Sequence, residues 1–211
     1  MVAGSTPAGR TAMLVLDRYL DQLPHWPKTG RHVLAQFDDE TIIVYQAYKP
    51  AIAAHAVEHR AFGGEFLYSR MSWIKTNFLW MMYRSGWGTK PDQEATLALR
   101  LRRSFFDSLM AQAVPSSIDG IYPTREDWSL AVARSDVRLQ WDPDHHPSGA
   151  KLERRAIQLG LRGEALAAFG QRELLEVIDL TAFVAEQRDN LGRGLSDLVT
   201  PRERVYASTA R

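Results

Sequence analysis

The chain has 211 residues, 45% hydrophobic and 24% charged, which is enough apolar material for one ordinary domain and too much for a disordered chain. Its 26 basic and 25 acidic side chains leave a net charge of +1, so no global field draws it to DNA or an anionic membrane, and any nucleic-acid contact must be a local patch. With no cysteine, disulfides, thiolate metal sites and a cysteine nucleophile are excluded, and the chain suits a reducing cytoplasm.

The first stretch carries only Met13 to Leu16 as an apolar block before Asp17 and Arg18, too short for a signal peptide or a membrane-spanning helix. Pro7, Pro24 and Pro27 with scattered Gly and Thr mark residues 1–30 as an N-terminal extension, in which LVLDRYLDQL offers at most a short helical turn. A working domain over residues 31–190 follows, and residues 191–211, with Gly192, Gly194 and Pro201, are expected as a C-terminal tail.

Within the domain, TIIVYQAY (41–48) is rich in β-branched and aromatic residues and predicts a buried strand. Pro50 suits the first turn of a helix that continues through the alanines until Gly63 and Gly64. GEFLYSRMSWIK predicts a second strand, and Asn77 is placed to cap a helix over FLWMMYRS that Gly86 ends. TLALRLR (96–102) alternates at period two and predicts a half-exposed strand, followed by a helix over SFFDSLMAQAV. VRLQW (137–141) reads as a strand stopped by Asp142-Pro143, RRAIQLGL as another, Glu164 to Phe169 as a short helix, LLEVIDLT as a strand, and residues 182–188 as the last helix. Without a regular βαβα rhythm, this mixture predicts a single α+β domain with a mainly antiparallel sheet and flanking helices.

The stretch Tyr68 to Trp87 packs three Trp, two Tyr and three Met among Arg70, Lys75 and Arg84. It fits an aromatic cleft with a positive rim, but Phe78, Leu79, Met82 and Tyr83 at near-helical spacing more often mark a plain core helix. Tyr45 to Lys49 put polar groups at a strand end facing a helix start, which suits anion binding and equally a structural hydrogen-bond network. Gln140 and Gln158 are amides out of pattern in strands, so each needs a ligand or a neighbouring backbone as partner. Asp142, Asp144, His145 and His146 make only a weak case for a metal, and His55 with His59 lacks a third ligand, so none is expected. No GxSxG, Walker loop or GxGxxG occurs.

VYQAY (44–48), RMSWIKTNFLWMMYRSGWGTK (70–90), QWDP (140–143) and RAIQLGL (155–161) resemble the family called domain of unknown function 4291, over residues 31–188. Ser72 and Thr76-Asn77 depart from its usual pattern. More distantly, the element order is similar to the ADP-ribosyltransferase fold, which implies a split antiparallel sheet with NAD in its cleft. That resemblance puts Gln46 at the first-strand position of those enzymes and a strand from Tyr68 to Ser72 at the second. The aromatic helix ending in Tyr83 follows, and Gln140 or Gln158 replaces the usual Glu. Losing that carboxylate removes a holder of the ribose hydroxyl and a stabiliser of an oxocarbenium-like transition state.

Three readings follow. In the first, the domain is an enzyme or derived from one and binds a nucleotide such as NAD. Arg70 and Lys75 hold its pyrophosphate, Trp73 or Tyr48 stacks on a ring, and Gln46 bonds ribose or carboxamide. In the second, Arg70, Lys75, Arg84 and Lys90 contact phosphates of RNA or DNA while aromatic side chains stack on bases. In the third, the domain takes no ligand and an exposed Trp such as Trp87 joins two copies.

Overall fold

The computed structural model describes residues 14–118 and 120–207. In chain order they form β1 (Leu16–Arg18), α1 (Tyr19–Gln22), a 3-10 turn (Leu23–His25), β2 (Leu34–Ala35), β3 (Thr41–Tyr48), α2 (Pro50–His59), β4 (Ser72–Lys75), α3 (Phe78–Ser85), β5 (Ala95–Arg102) and α4 (Arg103–Gln112). There follow β6 (Val114–Pro115), α5 (Arg125–Arg134), β7 (Val137–His145), β8 (Lys151–Leu161), α6 (Gly163–Gln171), β9 (Leu174–Asp179), α7 (Thr181–Arg193), β10 (Val199–Pro201) and β11 (Arg204–Val205). A seven-stranded sheet in the order β6-β7-β8-β4-β3-β5-β9 organises them, and all its pairs are antiparallel except β6 with β7. The domain is α+β with helices on both faces of this sheet, as its mixed pattern predicts. No helix among the described residues is long and apolar enough to cross a membrane.

Local chemistry sets several boundaries. Pro50 opens α2, whose last turn closes on Arg60 in a left-handed conformation at φ 52°. Asn77 Oδ1 accepts the Trp80 backbone N–H at 2.7 Å and so caps α3. At the other end Gly86 takes φ 59°, where a side chain is disfavoured, and its N–H reaches the carbonyls of Met82 and Tyr83.

The central strands bury both of their faces. On one side Ile42, Val44, Leu97, Leu99 and Leu101 pack with Ile52 and Ala56 of α2, Phe106 and Leu109 of α4 and Phe169 of α6. On the other, Ile43, Tyr45 and Ala98 meet Phe78, Leu79 and Met82 of α3, Val184 of α7 and Tyr19 of α1. This double cover corrects the expectation of a half-exposed strand at residues 96–102: Thr96 is fully buried and even Arg100 is only 9% exposed. The guanidinium is tolerated because it donates to Glu176 at 2.9 Å.

Other expectations fail for want of local signals. The strand foreseen from Gly64 shrinks to Ser72–Lys75, and residues 64–70 form turns. β7 does not stop at Asp142-Pro143 but continues to His145 through an irregularity after Pro143, since pairing with β8 carries it past the proline. Helix α5 lies in a stretch for which the sequence predicted no element.

The terminal segments are the largest correction. Residues 1–13 and 208–211 of the expected extension and tail lie outside the described residues, but the rest of both is built into the body. β1 pairs with β10 and β2 with β11. Tyr19, Trp26, Leu198 and Tyr206 are buried, and Tyr206 donates to Asp107 at 2.7 Å. Gln22 knits the two ends together, donating to Thr200 Oγ1 at 2.9 Å and accepting the Glu203 N–H at 2.9 Å. Strands of two or three residues have no measurable period, so nothing in the sequence announced them.

Candidate functional site

Strands β3 and β4 are neighbours in the sheet, yet they are in register only at Tyr45 and Lys75. From there β3 continues to Tyr48 while β4 runs back to Ser72, and the Gln46 side chain takes over part of the missing ladder. Its Nε2 donates to the Trp73 carbonyl at 3.1 Å and to Ser72 Oγ at 2.8 Å. Ser72 Oγ also lies 2.8 Å from the Tyr48 hydroxyl, and burial pushes that phenol far above its ordinary range, so it stays protonated. A cleft of about 810 Å³ opens where the strands part, large enough for a small-molecule ligand.

Eight of the expected site residues line it: Gln46, Tyr48, Arg70, Ser72, Trp73, Lys75, Gln140 and Gln158. Strand order brings them together. Lys75 is in register with Gln158, and Gln158 with Gln140, so these three share one face of adjacent strands. Tyr83 does not join them. It is 40% exposed and its ring lies flat on His145, with centroids 3.5 Å apart. Arg70 sits in an exposed turn, not on a strand, so its guanidinium stands at the mouth of the cleft and not clamped in its floor. Met81, Arg84, Glu65 and Asp92 also contribute to the walls, and Glu65 is held by an ion pair with Lys49.

Of the three tryptophans in the central block, only Trp73 reaches the cleft. Trp80 and Trp87 are 7% and 9% exposed, and the Trp87 indole N–H donates to the Pro147 carbonyl at 3.1 Å. Burial removes Trp87 as a contact between copies and thins the stack of aromatic rings on which the RNA or DNA reading relied.

Trp73 is seated by a missing side chain. A Cβ on Gly160, its register partner on β8, would come within 3.0 Å of the Trp73 ring and 2.8 Å of Met71 Sδ. Gly160→Ala should therefore push the indole off the sheet and cost about 1–3 kcal/mol by overpacking. An unchanged urea midpoint and tryptophan emission in that variant would show that the ring has room to spare.

One residue escaped the sequence analysis as a site member. Because β7 continues past Pro143, Asp142 falls on the same face as Gln140, and its carboxylate holds both amides: Gln140 Nε2 donates to Oδ1 at 2.8 Å and Gln158 Nε2 to Oδ2 at 2.7 Å. A carboxylate only accepts, so each amide turns its nitrogen inward and leaves its carbonyl oxygen for another donor. Gln46 behaves likewise. Its nitrogen is spent on Trp73 and Ser72, while its buried Oε1 has no hydrogen-bond partner among the described residues. The signal was present in the sequence as an aspartate two residues after a strand glutamine, but the proline directly after that aspartate argued for a loop.

Lys75 is 4% exposed, and its ammonium lies 5.6 Å from the centre of the Trp80 ring. Burial, reinforced by the Arg84 charge and opposed by Asp142, lowers its pKa to about 8. The polar lining thus combines acceptor oxygens from three glutamines with the cations Lys75, Arg70 and Arg84. No group of three or more His, Asp or Glu able to hold a metal occurs among the described residues. The adjacent histidines diverge, His145 buried against Tyr83 and His146 turned to Ser148 Oγ at 2.9 Å.

The family model described as Domain of unknown function (DUF4291) matches residues 32–206, a span that holds every strand of the seven-stranded sheet and the whole cleft. No curated protein matches the chain.

Proposed function

The chain belongs to the DUF4291 family, and from the make-up of its cleft we propose that it binds a nucleotide of the NAD type. One observation carries this reading: the buried Gln46 Oε1, which has no donor among the described residues, and Gln140 and Gln158, whose amide nitrogens are spent on Asp142, share a cleft with the cations Arg70, Lys75 and Arg84. Spare acceptors call for a ligand rich in hydroxyl or amide N–H groups, and the cations call for negative charge on the same ligand. A ribose with a carboxamide and a pyrophosphate answers both demands. Trp73 offers the flat apolar wall on which a ring stacks.

The arrangement expected of an ADP-ribosyltransferase fits this reading in part, since residues 68–70 form turns and only Ser72 of the expected second strand is in β4. The sheet parts between β3 and β4, with Gln46 on the first strand, the Ser72 hydroxyl on the next and Gln158 on a later one. The carboxylate question takes a specific form here. Asp142 stands behind Gln158 with both oxygens engaged by amides, so its charge polarises their carbonyls without itself reaching the ligand. Such a lining favours holding a ribose over supporting an oxocarbenium ion, and binding is the activity proposed.

Thermal melts with NAD, ADP-ribose and ATP at millimolar concentration test it. A ligand at about 100 times its dissociation constant adds about 2.7 kcal/mol, and NAD or ADP-ribose should give the larger shift. Arg70→Ala should leave the unliganded midpoint within about 0.5 kcal/mol of the parent, because its exposed guanidinium makes no ion pair among the described residues, yet reduce the ligand shift. Gln158→Ala should abolish that shift. The absence of a shift with all three nucleotides would overturn the reading, and single-stranded RNA binding that weakens steeply between 50 and 200 mM salt would replace it with the nucleic-acid alternative.

A further inference from the structure

Lys75 asks for an explanation that nucleotide binding does not supply. A lysine used only to attract phosphate works best exposed and fully charged, at the end of a flexible stem. Lys75 is instead drawn into the sheet, where its Cα is in register with Tyr45 on one side and Gln158 on the other. The groups around it come from three elements: Trp80 and Arg84 of α3, Asp142 of β7 and the phenol-bearing Tyr45 of β3. No hydrogen bond or ion pair to its ammonium is present among the described residues, and Asp142 is occupied by the two glutamines. A desolvated amine beside another cation, open to a cleft, is the arrangement that turns lysine into a nucleophile.

We propose that Lys75 is a reactive amine that forms an imine with an aldehyde carrying an anionic group such as a phosphate, the anion resting on Arg84 and Arg70 at the cleft mouth. The neutral amine nitrogen adds to the carbonyl carbon, a proton moves from nitrogen to the oxygen, and the resulting carbinolamine loses water to leave a C=N bond. No oxidant or reductant is needed, and the step reverses by hydrolysis. Gln140 and Gln158, with their carbonyl oxygens turned outward, accept a proton-bearing group of the carbinolamine. The lowered pKa supports the geometry, leaving about a tenth of the amine neutral at pH 7 against well under a thousandth for an ordinary lysine.

The inference shares the cleft with nucleotide binding but does not depend on it. The chain has four other lysines, Lys28, Lys49, Lys90 and Lys151, none of them buried, and they serve as internal references. The intact protein is treated at pH 7 with pyridoxal 5′-phosphate, an aldehyde bearing a phosphate, then reduced with borohydride and mapped by peptide mass spectrometry. Lys75 is expected to label about three-hundred-fold faster than an ordinary lysine, in line with the ratio of neutral amine at a pKa of about 8 against 10.5, with Lys28 and Lys151 as the references. Arg84→Gln, a change at an exposed position, should slow that labelling several-fold by removing both the charge that depresses the amine and a holder of the phosphate. Labelling at Lys28, Lys90 and Lys151 with Lys75 left intact would overturn the proposal. So would an Arg84→Gln protein that labels at the parent rate. A thermal shift with NAD alongside an unlabelled Lys75 leaves nucleotide binding standing while the imine proposal fails; the converse result separates them the other way.

Discussion

Replacing Glu203 by alanine is expected to lower stability by about 3–4 kcal/mol, a large loss for a residue in a segment whose sequence resembles a tail. Glu203 is 5% exposed. Its Oε1 accepts the Phe78 N–H at 2.6 Å in the first turn of α3, and its Oε2 accepts from Asn77 Nδ2 at 3.2 Å. Its own carbonyl accepts the Trp26 indole N–H at 2.8 Å. The alanine variant strands two buried donors, each costing about 1–3 kcal/mol, and leaves a void among them. For a chain of this size the melting temperature should fall by about 2–4 °C per kcal/mol. Burial also raises the Glu203 carboxyl well above its ordinary range, against the pull of the Phe78 N–H. The folded state therefore keeps a proton that the unfolded chain has released, and this residue's contribution falls as pH climbs above the ordinary carboxylate range. Urea titrations of parent and Glu203→Ala at pH 5 and pH 8 check both points, with the larger gap expected at pH 5. An alanine variant as stable as the parent would mean that the C-terminal segment does not hold α3.

Lys75→Met should act in the opposite sense, stabilising the protein by about 2–3 kcal/mol at pH 7 while removing the amine from the cleft. A folded-state pKa of about 8 against an ordinary value of 10.5 means that folding works against the charge on this nitrogen, at about 1.4 kcal/mol per pKa unit. Methionine keeps the length of the stem and its apolar packing beside Trp80. Between pH 8 and 10.5 the unfolded chain binds more protons here than the folded one, so the parent gains stability as pH rises and the advantage of the variant shrinks. Chemical denaturation at pH 7 and pH 10 measures this directly. A methionine variant that is less stable at pH 7 would show that the ammonium is well solvated, contrary to its burial. A more stable protein with a weakened nucleotide shift would mark Lys75 as a residue kept for function at the expense of stability.

Legibility in the sequence followed the range over which each signal acts. Short-range chemistry was readable: β-branched side chains announce β3, Pro50 opens α2, and Asn77 with Gly86 brackets α3. Those signals operate through backbone sterics and hydrogen bonds within four residues, so the order of amino acids determines them. The three strand glutamines also stood out, because an amide in an apolar run is a local anomaly. What only the tertiary structure decided was where these pieces meet. Pairing with β8 carries β7 past Pro143 and turns Asp142 into the partner of Gln140 and Gln158. Helices on both faces bury β5 from Ala95 to Leu101, and the short terminal strands find partners more than 160 residues away. Trp80 and Trp87 sink into the body while Trp73, from the same block, lines the cleft. Burial is a property of the surroundings and not of the residue, and the contacts that confer it are made between segments whose sequences carry no record of one another.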